Sequence, residues 1–155
     1  VPRLSRGDEP ILLVPYVVPG GLGAHKWLDR RLVDAATSAL GGTPLLLDAD
    51  ATVLESGWAN LWWLDDDGVL VTPALDGRQL PGVMRSVLLE RAGEAGLSVR
   101  EATRSFDAEV FAARPLLLTS ARGVTAARLA QTTDPVVAQT LALAERLGPL
   151  AADGG

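Results

Sequence analysis

Short apolar runs of strand length, each closed by Gly, Pro or Asp, recur along this chain and commit it to a sheet. They read "ILLVPYVV" at residues 11–18, "PLLLDA" at 44–49, "TVLES" at 52–56, "NLWWL" at 60–64, "VLVT" at 69–72 and "PLLLTS" at 115–120. Runs this short, rich in Val, Leu and Trp and flanked by turn residues, are buried strands rather than helices. Pro15 is expected to interrupt the first. "DDDG" between the fourth and fifth makes a β-hairpin, because Asp-Gly supplies the positive φ that a tight turn requires. Its three aspartates either form a solvated tip or mark a metal site; successive side chains in a tight turn diverge, which argues for the tip.

Helical segments separate the strands. Residues 26–40, "KWLDRRLVDAATSAL", are good helix formers stopped by Gly41–Gly42. Residues 80–96, "LPGVMRSVLLERAGEAG", start with Pro near the first turn, end in Gly, and put Val83, Val87 and Leu88 on one face. "LSVREAT" at 97–103 is a further strand. A short helix at 105–113 has Ser105 as a plausible cap, and Asp134 with Pro135 opens a last helix. Strands and helices mixed in this way predict an α/β (α+β) domain around one sheet system.

Composition narrows the chemistry. Of 155 residues 48 % are apolar, enough for a real core, and no apolar run approaches the roughly 20 residues that span a bilayer. Cys is absent and His25 is the one histidine, which excludes thiolate and multi-His metal sites. A net charge of −5 with scattered basic residues argues against nucleic-acid binding. A cysteine-free chain suits a reducing cytoplasm. "VPRLSRGDEP" looks like a flexible lead-in over residues 1–10 from a missing N-terminal part, and "AADGG" at 151–155 should be a disordered tail.

Lys26 is the only lysine among 14 Lys and Arg residues. Arg stays protonated, whereas a Lys amine can lose its proton and act as a nucleophile. Chance retention of a surface Lys is the plainer alternative. Glu55 ends an apolar strand beside Trp58, Trp62 and Trp63, so its carboxylate should be buried and held by a hydrogen-bond donor or an arginine. The "LPG" helix start offers free N–H groups at Val83 and Met84, and "TSARG" offers those of Ser120 and Ala121; either suits an anion, though most such turns bind only water. Amine, carboxylate and anion cradle together describe one ligand. Pyridoxal phosphate presents an aldehyde, a ring nitrogen and a phosphate.

In order and spacing the chain resembles the class IV aminotransferase family, the fold-type IV pyridoxal-phosphate enzymes. "GLGAHKWLDRRL" is similar to the family's Schiff-base lysine segment. Glu55, Asn60, the following aromatic, Thr72 and "PGVMR" resemble its signature, and "PLLLTSARGV" its second phosphate turn. The likeness runs from about residue 11 to residue 128. It implies the large C-terminal domain alone, residues 11–150, with barrel-like strands and flanking helices. It further implies Lys26 as the catalytic, cofactor-linking residue and proton shuttle, and Glu55 on the ring nitrogen. Leu80, Gly82, Val83 and Met84 would frame the phosphate, opposite Ser120 and Ala121. Asn60 would order the chain after Glu55.

The chain departs from the branched-chain members. Arg31 replaces a Tyr, Ser120-Ala121 replaces Gly-Thr, and Trp58 stands where small residues are common. "KWLDRRL" looks closer to the aminodeoxychorismate lyases, which release pyruvate and leave 4-aminobenzoate. Arg31 and Arg122 would then hold an anionic substrate, or Arg30 and Arg31 are merely solvated helix charges. The resemblance implies a homodimer, and a full site that needs the N-terminal domain or a fused chorismate-using synthase. Branched-chain or D-amino-acid transamination, and an inactive dimerising remnant, are the other readings.

Overall fold

The computed structural model describes residues 9–22 and 30–154. Its strands are β1 (Ile11–Val17), β2 (Thr43–Leu47), β3 (Val53–Ser56), β4 (Asn60–Leu64), β5 (Leu70–Pro73), β6 (Val99–Ala102), β7 (Leu116–Ser120) and β8 (Gly123–Arg128). Its helices are α1 (Arg30–Leu40), α2 (Val83–Arg91), α3 (Ala108–Ala112) and α4 (Asp134–Gly154), with a 3-10 turn (Ala92–Ala95) extending α2. The strands form one mixed sheet in the order β3-β2-β1-β8-β7-β4-β5-β6.

This sheet curls into a half-barrel whose ends are drawn together by the chain after β6. Past the end of β6 the chain turns back onto the far edge, where Thr52 bridges Ser105 and the Val53 N–H donates to the Arg104 carbonyl at 2.9 Å. Phe106 N–H donates to the Ala51 carbonyl at 2.8 Å. These contacts cover part of the β3 edge that an open sheet would leave exposed. The barrel-like arrangement expected from the resemblance is therefore present.

Alternation along the strands fills both faces. Leu61, Trp63, Leu116 and Leu118 point inward with Leu13, Leu45, Leu47, Val53, Val71 and Phe111, forming the inner core. Trp62, Leu70 and Leu117 point outward and meet Leu88 of α2 and Leu143, Leu147 and Leu150 of α4. The period of two thus assigns each tryptophan of "NLWW" to a different core. Trp62 is anchored by its indole N–H, which donates to Thr119 Oγ1 at 3.0 Å.

Several local expectations need correction. β1 runs unbroken through Pro15. Its neighbour β8 pairs only with Ile11 and Leu12, so Pro15 lies where that flank carries no strand and its missing N–H breaks no ladder there. The cap of α3 is Asp107, not Ser105; its side chain accepts from the Glu109 and Val110 N–H groups. Val83 is not on the buried face of α2 but is 74 % exposed, and Arg85 takes an inward position instead, donating to the Pro73 carbonyl and to Glu101. β8, "GVTAAR", is a strand that no apolar run announces. α4 continues to Gly154 with Leu150 and Ala151 buried, so the expected frayed tail is helical.

The "DDDG" tip also differs from a plainly solvated turn. Asp65 is largely buried and pairs with Arg100, Arg104 and Arg114, tying the hairpin to β6 and to α3's exit. Among the described residues no group of His, Cys, Asp or Glu is placed to hold a metal ion, and no helix is long and apolar enough to cross a membrane.

Candidate active site

Glu55 owes its direction to a β-bulge. Leu46 pairs with Glu55 but Leu47 pairs with Val53, so Leu54 is an extra residue in β3. The bulge puts Val53 and Glu55 on opposite faces although they are two residues apart. Val53 joins the inner core; Glu55 joins the outer face, as Asn60 does through its pairing with Thr119. Glu55 is 4 % exposed, and its Oε1 accepts the Leu80 N–H at 3.0 Å. A backbone donor therefore holds the buried carboxylate, as the sequence required.

Asn60 fixes the same loop from the other side. Its Nδ2 donates to the Leu80 carbonyl at 2.8 Å. It also packs against Gly82: a Cβ built there would lie 2.2 Å from Asn60 Oδ1. Asn60 thus orders the Leu80–Gly82 turn rather than only the chain after Glu55. Thr72, the other signature polar residue, is fully buried and donates to the Leu61 carbonyl at 2.7 Å, locking β5 to β4.

The turn leads into an α2 start that carries no side-chain cap and no acidic residue in its first turn. Free N–H groups and the positive end of the helix dipole there suit an anion. Glu55, Leu80, Gly82 and the first turn of α2 with Val83 and Met84 are thus brought together, and Asn60 links them to the β7 end, where Ser120 follows Thr119.

Ser120, Ala121 and Arg122 line a cavity of about 340 Å³ with Gly57, Trp58, Val33 and Asp34. That volume lies at the lower end for small-molecule sites. Ser120 Oγ accepts the Arg122 N–H at 3.1 Å, which tightens the β7–β8 turn. Leu80, Gly82, Val83 and Met84 are not among the residues lining this cavity, and neither is Arg31, which is exposed on α1. Trp58 does line it, in the place where small side chains were expected to leave room.

Lys26 lies outside the described residues. The described chain on both sides of its segment packs closely on Arg78 or on residues that lie near Glu55 in sequence. Before it, Gly21 has a φ of +72° and packs so closely that a Cβ would lie 2.7 Å from the Arg78 carbonyl oxygen and 2.9 Å from Leu54. After it, Val33 of α1 presses on Gly57, where a Cβ would come within 2.5 Å of its Cγ1. Leu54 and Gly57 flank Glu55 and Ser56 in sequence.

One cluster near this site was not expected. Asp48 Oδ1 accepts the Gly20 N–H at 2.8 Å and the Ala49 N–H at 2.6 Å, while Oδ2 accepts Arg78 Nη1 at 2.5 Å. Arg78 also makes a two-pronged pair with Asp76. The Gly20 N–H, then Arg78, then the Ala49 N–H, hold the Asp48 carboxyl at about 2, below its ordinary 3.8. A depressed folded value contributes stability above the unfolded value, lost as pH falls through the folded one. Acid unfolding followed by circular dichroism should therefore show wild type losing stability between pH about 4 and about 2, and Asp48→Asn losing less over that window.

Comparison with known proteins decides the family. Residues 25–129 match the family model of class IV amino-transferases. The chain belongs to the class IV aminotransferases. Curated relatives include the branched-chain-amino-acid aminotransferase of Mycolicibacterium smegmatis, 38 % identical over 93 residues, 54 % of this chain and 25 % of that protein. The Mycobacterium tuberculosis counterpart is 36 % identical over the same share. The chain thus aligns with about a quarter of each curated relative's length. A hypothetical aminotransferase from M. tuberculosis has the same fold, with a TM-score of 0.76 at 16 % identity over 99 % of this chain and 60 % of that one. A fold IV-transaminase from Curtobacterium pusillum follows at 0.73 and 22 %, over 96 % and 55 %. A 4-amino-4-deoxychorismate lyase assigned in Legionella pneumophila reaches 0.64 at 18 %, over 89 % and 56 %. The mixed, edge-paired sheet with flanking helices is thus the fold of this class IV family.

Proposed function

We propose that residues 11–150 form the pyridoxal-phosphate-bearing domain of an aminotransferase acting on a small amino acid. The observation that carries this reading is the joint hold on the Leu80–Gly82 turn. One buried carboxylate and one buried amide grip its backbone and deliver an uncapped helix start to the same face. In this reading Glu55 would take the ring nitrogen, Leu80, Gly82, Val83 and Met84 with Ser120 and Ala121 the phosphate, and Lys26 the aldehyde; the buried Glu55 carboxylate and the uncapped start of α2 support it. When bound, the cofactor supplies an electron sink for the charge released at the substrate's Cα. The protein's part is to hold and orient. Glu55 would keep a proton on the ring nitrogen, Lys26 would move a proton at Cα, and the helix start would balance the phosphate charge.

The first reading, amino transfer with a branched-chain substrate, is supported by the name of the curated relatives. A second reading, 4-amino-4-deoxychorismate lyase of the folate pathway, rests on "KWLDRRL" and on Arg122 at the cavity, which suits an anionic substrate. The working enzyme under either reading is a cytoplasmic homodimer completed by an N-terminal domain. The test adds pyridoxal phosphate, reads the visible absorbance, reduces with borohydride and maps the labelled peptide. The label is expected on Lys26. A label elsewhere, or none, overturns the reading. Glutamate formed from 2-oxoglutarate, against pyruvate with 4-aminobenzoate, separates the two reactions.

A further inference from the structure

Three loops meet at Arg78. The turn after β2 contributes Asp48, whose carboxylate holds both the Gly20 N–H and the Arg78 guanidinium. The loop after β1 carries Gly20 and Gly21 and leads to the Lys26 segment; Gly21 lies against the Arg78 backbone. The loop after β5 carries Asp76 and Arg78 and reaches, two residues later, the Leu80 N–H that caps Glu55. Arg78 is 24 % exposed and Asp48 17 %, so the pair is partly shielded from water. A guanidinium can bridge two carboxylates with fixed geometry, which an ammonium matches poorly.

We propose that Arg78, seated between Asp48 and Asp76, is a positioning residue that ties the loop after β1, at Gly20 and Gly21, to the Leu80 turn that holds Glu55. Arg78 acts through the backbone it fixes. The proposal rests on the cofactor site described above but adds a residue outside the family signature.

The test uses the whole 155-residue chain. Arg78→Met keeps the apolar stem and removes the fork. Asp48→Asn is isosteric and keeps an acceptor for Gly20, so at least one variant should fold. Amide hydrogen exchange on the cofactor-free protein is expected to be about fivefold faster at Leu80 in Arg78→Met, with Leu117 in the barrel wall unchanged. Affinity for pyridoxal phosphate is expected to fall about tenfold, and Arg78→Lys should recover part of it. Unchanged exchange at Leu80 in both Arg78→Met and Asp48→Asn would overturn the proposal, as would undiminished cofactor affinity. Because exchange is read without cofactor, failure of the wild type to bind pyridoxal phosphate would sink the functional reading separately.

Discussion

Glu55→Ala is expected to lower turnover of the complete enzyme by on the order of 10²–10³-fold and to destabilise the fold by about 2 kcal/mol. The two effects have different sources. The stability loss comes from the Leu80 N–H, which donates to Glu55 Oε1 and would be left without that acceptor. The rate loss comes from the charge, since only an ionised carboxylate favours a protonated ring nitrogen. Glu55→Gln separates them. It retains an acceptor for Leu80 and should cost under about 1 kcal/mol, yet lose nearly as much activity as Ala. Urea unfolding and steady-state rates on both variants make the comparison. A fully active Gln variant would remove Glu55 from the chemistry and leave it only as the anchor of the loop.

The separation matters because the carboxylate's environment was only partly legible in the sequence. Burial of Glu55 followed from its place beside three tryptophans, and the need for a donor followed from burial. The donor itself, a backbone N–H 25 residues on, did not. Nor did the extra residue at Leu54 that turns Glu55 outward, because a bulge is a property of pairing between two strands and leaves no periodicity in either. The strands with strong apolar runs and the Asp-Gly hairpin were readable because each is decided locally. β8 was missed for the opposite reason: "GVTAAR" has no apolar run, and its identity comes from β7 on one side and β1 on the other. The Asp48–Arg78 contact and the Thr52–Ser105 closure likewise join residues 30 or more positions apart. The role of Lys26 rests on its residue type and on the resemblance of its segment.

Gly82→Ala should destabilise the fold at least as much as losing Glu55, although it adds one methyl group. Its φ of −68° is ordinary for any residue, so the backbone itself raises no objection. Space is the obstacle. The new Cβ would sit 2.2 Å from Asn60 Oδ1, and Asn60 cannot swing away without releasing the Leu80 carbonyl it holds at 2.8 Å. Its strand cannot yield either, since β4 is paired on both sides by β5 and β7. Either Asn60 breaks its bond or the start of α2 retreats, and the combined cost is expected to be about 3 kcal/mol. If the proposed phosphate site is at this helix start, a displacement of about 1 Å should lower cofactor affinity by on the order of 100-fold. Gly93→Ala is the control. No atom lies within 4 Å of a Cβ at Gly93, which sits in the turn extending α2, so the same change there should be neutral or stabilising by about 0.5 kcal/mol. Thermal unfolding and a pyridoxal-phosphate titration of the two variants decide it. Equal behaviour would mean that the close approach of Gly82 to Asn60 does not govern the phosphate end of the site.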